Sequence, residues 1–125
     1  MIKSIFYRSI IELLGTSILS ITVINSTNSS LSIVEASIFI GLTLSFLIHL
    51  FGRISGAHFN PLVTLMFVQL HHGNYWYKKR SILVNSIIYI LFQIVGASLV
   101  FLFYPLSDIE TALTNVNLLS EGLLT

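Results

Sequence analysis

Three apolar runs of about twenty residues limit the folds that this chain can adopt. A segment of about 20 apolar residues, wound into an α-helix, crosses the roughly 30 Å hydrocarbon core of a bilayer. Hydrophobic residues make up 54% of the 125 residues and charged residues 9%, against about 25% charged in an average soluble domain. We therefore predict an all-α membrane protein embedded in the lipid bilayer, with spanning helices at about residues 5–24, 32–51 and 82–104.

The basic residues predict how the chain is oriented. Two lie at the start of the first run, one follows the second run and three precede the third, so that all six would face one side of the membrane: Lys3, Arg8, Arg53, Lys78, Lys79 and Arg80. Basic residues beside spanning helices are retained preferentially on the cytoplasmic side. We therefore expect a multi-pass protein with a cytoplasmic N-terminus, in the plasma membrane or bacterial inner membrane.

The first run also has features of a secretory signal peptide, because Lys3 and Arg8 precede or begin it. It is long for a signal peptide, contains Glu12, and shows no small-x-small cleavage site. We interpret it as a helix of the mature protein.

A fourth apolar stretch, residues 61–70, is about half as long as a span. At 1.5 Å per residue it extends roughly 15 Å, to the bilayer midplane. Asn60 is a good N-cap, and Pro61 suits the first helical turn. The small residues of 52–59 favour non-helical backbone, which is tolerated at membrane depth only inside protein or beside a watery cavity. The sequence predicts a re-entrant half-helix at about residues 60–70.

The chemistry expected at this turn suits a small neutral solute. The partial positive charge of the half-helix N-terminus disfavours cations, and the Asn60 side chain adds a hydrogen-bond donor. The carbonyl groups of Gly56, Ala57 and His58 can accept hydrogen bonds along one wall. Donors at the midplane and acceptors beside them fit water or a small polyol.

No residue pattern points to catalysis or to a cofactor. The sequence has no cysteine, which excludes disulfides, thiolate catalysis and a cysteine zinc cluster. His71 and His72 are adjacent, so they do not share a helical face and do not suggest a metal site. The net charge of +1 gives no indication of nucleic-acid binding. We predict that the chain is not an enzyme and binds neither cofactor nor metal.

The segment SGAHFNPLVT, residues 55–64, resembles the first pore loop of the aquaporin family, the major intrinsic proteins. The family's usual form is SGAHxNPAVT, and Leu62 replaces its alanine. Three further segments resemble the family's first, second and third helices: ELLGT (12–16), FIGLTLSFLIHLFG (39–52) and YILFQIVGASLV (89–100). The resemblance implies the first repeat of an inverted-repeat channel for water or small neutral solutes such as glycerol or urea. It also implies six helices in the whole channel and, usually, a homotetramer.

The resemblance implies roles for particular residues. Ile40 takes the second-helix filter position, where water-selective members usually have an aromatic residue. Glu12 would tie the backbone N–H groups of the loop, an interpretation that we prefer to a proton relay. The residues expected to line the pore are Ile40, Gly56, Ala57, His58 and Asn60. Those expected to support the loop are Glu12, Pro61 and Gln93, and those expected to allow close helix packing are Gly41, Gly96 and Ala97.

The C-terminal residues EGLLT (121–125) repeat the spacing of Glu12 and Thr16, and they resemble the start of the family's fourth helix. We expect a truncated fourth helix at about residues 119–125, so that residues 1–125 form a single half-channel domain. The family's second Asn-Pro motif does not occur in the sequence. The alternative is a non-conducting three-span protein that acts only by pairing with another half or with a full-length relative.

Residues 25–30, NSTNSS, are expected to form a polar loop on the outer side. They contain Asn-x-Ser/Thr patterns at Asn25 and Asn28, which are glycosylation acceptors in some organisms. We prefer the simpler interpretation of a polar turn between two helices.

Overall fold

The computed structural model describes residues 2–71 and 76–124. Within these ranges the chain folds into five helices and no strand: α1 (Ile2–Asn28), α2 (Ile33–Ser55), α3 (Pro61–Leu70), α4 (Trp76–Phe103) and α5 (Leu106–Leu124). Three segments are long and apolar enough to cross a membrane: Ser4–Asn28, Ile33–Ser55 and Arg80–Phe103. The apolar helix α3 has only 10 residues. The predicted all-α fold, with three spanning helices and one half-length helix, is confirmed.

Local sequence explains where α2 begins. Ser32 caps the helix and forms a capping box with Glu35: the Ser32 N–H donates to Glu35 Oε2 at 2.8 Å, and the Glu35 N–H donates to Ser32 Oγ at 3.3 Å. Such reciprocal bonds satisfy two backbone donors that lack partners in the first helical turn. The helix then continues for 23 residues, or roughly 35 Å at 1.5 Å per residue, which is sufficient to cross the hydrocarbon core.

The polar segment predicted as a loop from Asn25 is partly helical. Helix α1 continues through Asn25 to Asn28, and only the residues before α2 form the turn. Two side-chain contacts hold these last residues: the Tyr104 hydroxyl donates to Asn25 Oδ1 at 2.6 Å, and Asn28 Nδ2 donates to the Asp108 carbonyl at 2.7 Å. Contacts with the C-terminal part of the chain therefore extend α1 beyond its apolar run.

The expected start of a fourth helix at about residue 119 was also wrong. Helix α5 begins at Leu106 and includes most of that segment in its last turns. Its inner face packs through Ala112 against Ile24 of α1 and Val100 of α4. Asn115 Nδ2 donates to the carbonyl of Thr27 at 2.6 Å. This docking on the end of α1 stabilises a helix that propensity alone did not indicate.

Helix α1 is the centre of the fold, because it contacts α2, α4 and α5, while α3 packs on α4. Gly96 allows α1 and α4 to approach closely, since a Cβ there would collide with the carbonyl of Leu13. Ser17 Oγ bridges the same contact by donating to the Gly96 carbonyl at 2.9 Å. Gly41 shows no such contact within the described part of the chain, because a Cβ there would meet no described atom within 4 Å.

Candidate functional site

The loop between α2 and α3 has an unusual backbone. Gly56 ends α2 in the left-handed conformation, with φ of 95°, and its N–H donates to the carbonyl of Gly52 at 3.1 Å. Ala57 and Phe59 also have positive φ, at 52° and 49°. Left-handed backbone costs a non-glycine residue about 1–3 kcal/mol and persists only when surrounding contacts hold it. The contacts around this loop therefore define the site.

Glu12 supplies the most extensive of these contacts. The side chain is fully buried, and each carboxylate oxygen accepts two hydrogen bonds. Oε1 accepts from Ser55 Oγ at 2.6 Å and from the N–H of His58 at 3.1 Å. Oε2 accepts from the N–H of Phe59 at 2.6 Å and from Gln93 Nε2 at 2.9 Å. One side chain of α1 thus ties the loop backbone, the end of α2 and the middle of α4 together.

Hydroxyl groups to which the sequence analysis gave no supporting role complete the support. Thr16 Oγ1 donates to the carbonyl of Phe59 at 3.1 Å, and the Tyr89 hydroxyl donates to the carbonyl of Ser55 at 2.6 Å. Thr64 Oγ1 lies 3.1 Å from Gln93 Nε2 and 3.1 Å from His58 Nδ1. The sequence contains a signal for two of these residues, because Thr16 and Thr64 follow Glu12 and Asn60 by four positions and so share their helical faces.

Phe59 anchors the loop by packing. Its ring is 2% exposed and fills the space beside Gly15, where a Cβ would collide with it. It also meets the ring of Phe51 edge to face, with centroids 6.4 Å apart. The missing side chain of Gly15 is therefore what allows the loop to sit against α1.

Asn60 and Pro61 begin α3 as the sequence predicted. Asn60 has extended backbone, with φ of −154°, and its Oδ1 accepts from the N–H of Leu62 at 2.9 Å. Pro61 occupies the first helical turn, where a missing N–H has no cost. Asn60 is exposed, and its Nδ2 has no hydrogen-bond partner among the described residues. Leu62, the departure from the aquaporin motif, is 64% exposed and takes no part in the buried cluster.

The loop also leaves its own carbonyl groups open. In residues 2–71 and 76–124, no donor reaches the carbonyls of Gly56, Ala57 or His58, whereas that of Phe59 is bonded to Thr16. Three successive acceptors therefore precede a helix N-terminus that carries a free amide donor. A cavity of about 330 Å³ adjoins Asn60 and Pro61, between α1 and α4.

The predicted site residues do not all come together. Glu12, Gln93 and the loop form one cluster, but Ile40 lies elsewhere. It is half-buried on α2, fifteen residues before Ser55, or roughly 22 Å along the helix axis. Among the described residues, no group of three histidine or acidic side chains is arranged to hold a metal ion.

Comparison with known proteins identifies the family. The family model described as "Major intrinsic protein" matches residues 3–123. Aquaporin NIP1-1 of Zea mays is 33% identical over 98 residues, which are 74% of this chain and 32% of the maize protein. The chain thus spans about a third of the length of that relative. No solved structure matches the chain significantly. The family match over nearly the whole chain and its three apolar helices make it an integral membrane protein that belongs to the major intrinsic protein family.

Proposed function

We propose that this chain forms one half of a passive transmembrane channel for water or small neutral solutes such as glycerol or urea. The observation that carries the proposal is the open polar edge of the loop. The carbonyls of Gly56, Ala57 and His58 and the Nδ2 of Asn60 have no partner among the described residues. Unpaired backbone groups at membrane depth are tolerated where they line a watery cavity. A file of solute molecules would satisfy them.

The expected selectivity follows from the charges at this edge. The N-terminus of α3 carries partial positive charge, which repels cations and protons, while the carbonyl acceptors replace the hydration of a neutral solute. The residues proposed to line the pore are Ile40, Gly56, Ala57, His58 and Asn60. Ile40 would stand at the outer constriction, and an aliphatic side chain there favours a polyol as well as water. The activity is conduction, with no catalysed step.

The orientation that we propose for the chain in the membrane follows from the positions of its basic residues. Arg8 near the start of α1, Arg53 near the end of α2 and Arg80 near the start of α4 lie at one end of the helix bundle. Retention of basic residues in the cytoplasm would leave α5 and the turn before α2 outside.

A complete pore needs walls on every side, and three spans with one half-helix provide only one side. An open polar edge in contact with lipid would cost several kcal/mol for each unpaired group. We therefore propose that the chain conducts only when a complementary half covers this edge, and that the monomer alone does not conduct. By family resemblance the complete subunits form a homotetramer. Pairing with a full-length relative, without conduction, is the alternative role.

Vesicle swelling tests the proposal. The purified chain is reconstituted into liposomes alone, as the monomeric form, and together with the C-terminal half of a full-length relative, as the assembled form. The stoichiometry of each form is determined by cross-linking. Swelling is then followed by stopped flow after osmotic steps with sucrose, glycerol or urea. We expect the assembled form to raise water or solute permeability above that of empty vesicles, and the monomeric form to leave it unchanged. Conduction by a chain that cross-linking shows to be monomeric would refute the need for a second half. No conduction by any assembly would refute the channel function.

A further inference from the structure

Arg8 faces a second cavity, distinct from the one beside Asn60. This cavity has a volume of about 260 Å³ and lies between the first part of α1, the loop and the first part of α4. Among the described residues, its polar side chains are those of Arg8, Ser55, His58, Asn85, Ser86 and Tyr89, and no carboxylate lines it. The cavity therefore offers several hydrogen-bond donors around a positive charge.

The guanidinium group of Arg8 has a donor without a partner in the described part of the chain. Its Nε is buried and has no hydrogen-bond partner within the described part of the chain. The guanidinium carbon lies 5.8 Å from the ring centroid of Tyr89, and an aromatic ring attracts a cation without neutralising it. Glu12, one turn further along α1, keeps its negative charge, but its oxygens accept hydrogen bonds from Ser55, the loop and Gln93 and none from Arg8. An unsatisfied buried donor of this kind calls for a ligand or another explanation.

The surroundings favour a negatively charged ligand. Arg53 and Arg80 are exposed at the same end of the bundle, whereas the acidic residues Glu35 and Asp108 lie at the other end, beside the end of α1. Each basic residue near a membrane surface attracts anionic lipid by about 1 kcal/mol. The field at this end therefore concentrates anions at the mouth of the cavity.

We propose that this cavity binds a phosphate-bearing anion. The planar guanidinium group of Arg8 matches two phosphate oxygens at once, and the amide of Asn85 and the hydroxyl of Ser86 supply further donors. The phosphate belongs either to a lipid headgroup at the membrane surface or to a free anion. Gly56 and His58, which are proposed above to line the pore, also border this cavity. The binding test requires no conduction, however, so its outcome is independent of the flux experiments.

The test measures lipid binding to the purified chain in detergent by native mass spectrometry. Phosphatidylglycerol is the anionic probe, phosphatidylcholine the zwitterionic control and inorganic phosphate the competitor. We expect Arg8→Gln to weaken phosphatidylglycerol binding about tenfold or more, since charge-assisted bonds are lost. Arg53→Gln, the matched control at the same end, should change it less than about threefold, as expected for a screened surface charge. Displacement by millimolar phosphate would identify a free anion as ligand, and resistance to phosphate a headgroup.

A second variant guards against a fold defect in the first. Asn85→Leu retains every charge and fills part of the cavity, so it should weaken binding in the same direction as Arg8→Gln. Thermal unfolding followed by circular dichroism identifies any variant that does not fold. Equal losses in Arg8→Gln and Arg53→Gln, equal binding of the two lipids, or full binding by Asn85→Leu would each overturn the proposal.

Discussion

Replacing Glu12 by glutamine exchanges one carboxylate oxygen for an NH₂ group, and the four donors around it make that exchange costly. The new NH₂ would face either the Phe59 N–H and Gln93 Nε2 or the Ser55 hydroxyl and His58 N–H. Hydrogen bonds to charged groups contribute about 1.5–3 kcal/mol each. We expect Glu12→Gln to lower the free energy of unfolding by about 2–4 kcal/mol, measured by thermal or denaturant unfolding in detergent.

Glu35→Gln is the matched control for that experiment. Glu35 is exposed and closes the capping box of α2, and a glutamine can form the same box. Its unfolding free energy should change by less than about 0.5 kcal/mol, as for most surface substitutions. Equal effects of the two substitutions would contradict the role given to Glu12.

Asn60→Asp separates the two tasks of this side chain. Asp is as good an N-cap as Asn, so α3 should remain intact. The substitution removes the Nδ2 donor and adds negative charge where a neutral solute would pass. We expect solute flux through a conducting assembly to fall about tenfold or more, because the pore loses a hydrogen-bond donor and gains a charge. The melting temperature should remain unchanged. Unaltered flux would mean that Asn60 is only a cap.

Ile40→Phe tests the proposed outer constriction. A larger ring should narrow the passage and reduce glycerol flux more than water flux, because pore diameter determines selectivity. Stopped-flow swelling with both solutes measures the ratio. Leu42→Phe, at an exposed neighbouring position, is the control. A glycerol-to-water ratio that is unchanged by Ile40→Phe would remove Ile40 from the filter.

Among the elements, the contact between α1 and the loop depends on a residue without a side chain. Gly15→Ala would place a Cβ against the Phe59 ring, and overpacking of this kind costs about 1–3 kcal/mol. The control, Gly41→Ala, meets open space and should be neutral or stabilising by up to about 1 kcal/mol, since alanine has the higher helix propensity. Thermal unfolding of both variants in one detergent compares them. A loss of stability in Gly41→Ala as large as in Gly15→Ala would contradict this packing.

The elements differ in how far the sequence could predict them. The spans of α1, α2 and α4 and the short α3 follow from apolar length and from the cap at Asn60 and Pro61, which are local properties. Helix α5 was predicted only at its end, because residues 106–124 mix polar and apolar side chains. Its stability comes from packing of Ala112 against Ile24 and Val100, which no local pattern records.

The site residues were likewise predicted where the signal was local in the sequence or belonged to the motif of the family. Glu12 and Gln93 stand out as polar residues within apolar runs, whereas Thr16 and Thr64 do not, because threonine commonly bonds to the carbonyl of its own helix. Both threonines do form that local bond, to the carbonyls of Glu12 and Asn60. Their additional contacts with Phe59, His58 and Gln93 arise only in the folded chain.

At the scale of the whole molecule, the absence of cysteine from the sequence allows a direct test of orientation. Single cysteines are introduced as Ser30→Cys, between α1 and α2, and as His71→Cys, after α3; both positions are exposed. In intact cells a membrane-impermeant maleimide should label Ser30→Cys and leave His71→Cys unlabelled until the membrane is opened. We expect this because the basic residues should keep the end of the bundle that contains His71 on the cytoplasmic side. Labelling of both from outside would refute the proposed topology.

The distances along the chain between Glu12 and its donors have a consequence for biosynthesis. Ser55 follows Glu12 by 43 residues and Gln93 by 81. At about 5–20 residues per second, Glu12 is synthesised roughly 2–9 s before Ser55 and roughly 4–16 s before Gln93. During that interval a carboxyl group within the bilayer costs about 2.5–3.5 kcal/mol on insertion scales. Insertion of the first helix into lipid is therefore unfavourable at first, and its final position in the membrane depends on the helices synthesised after it.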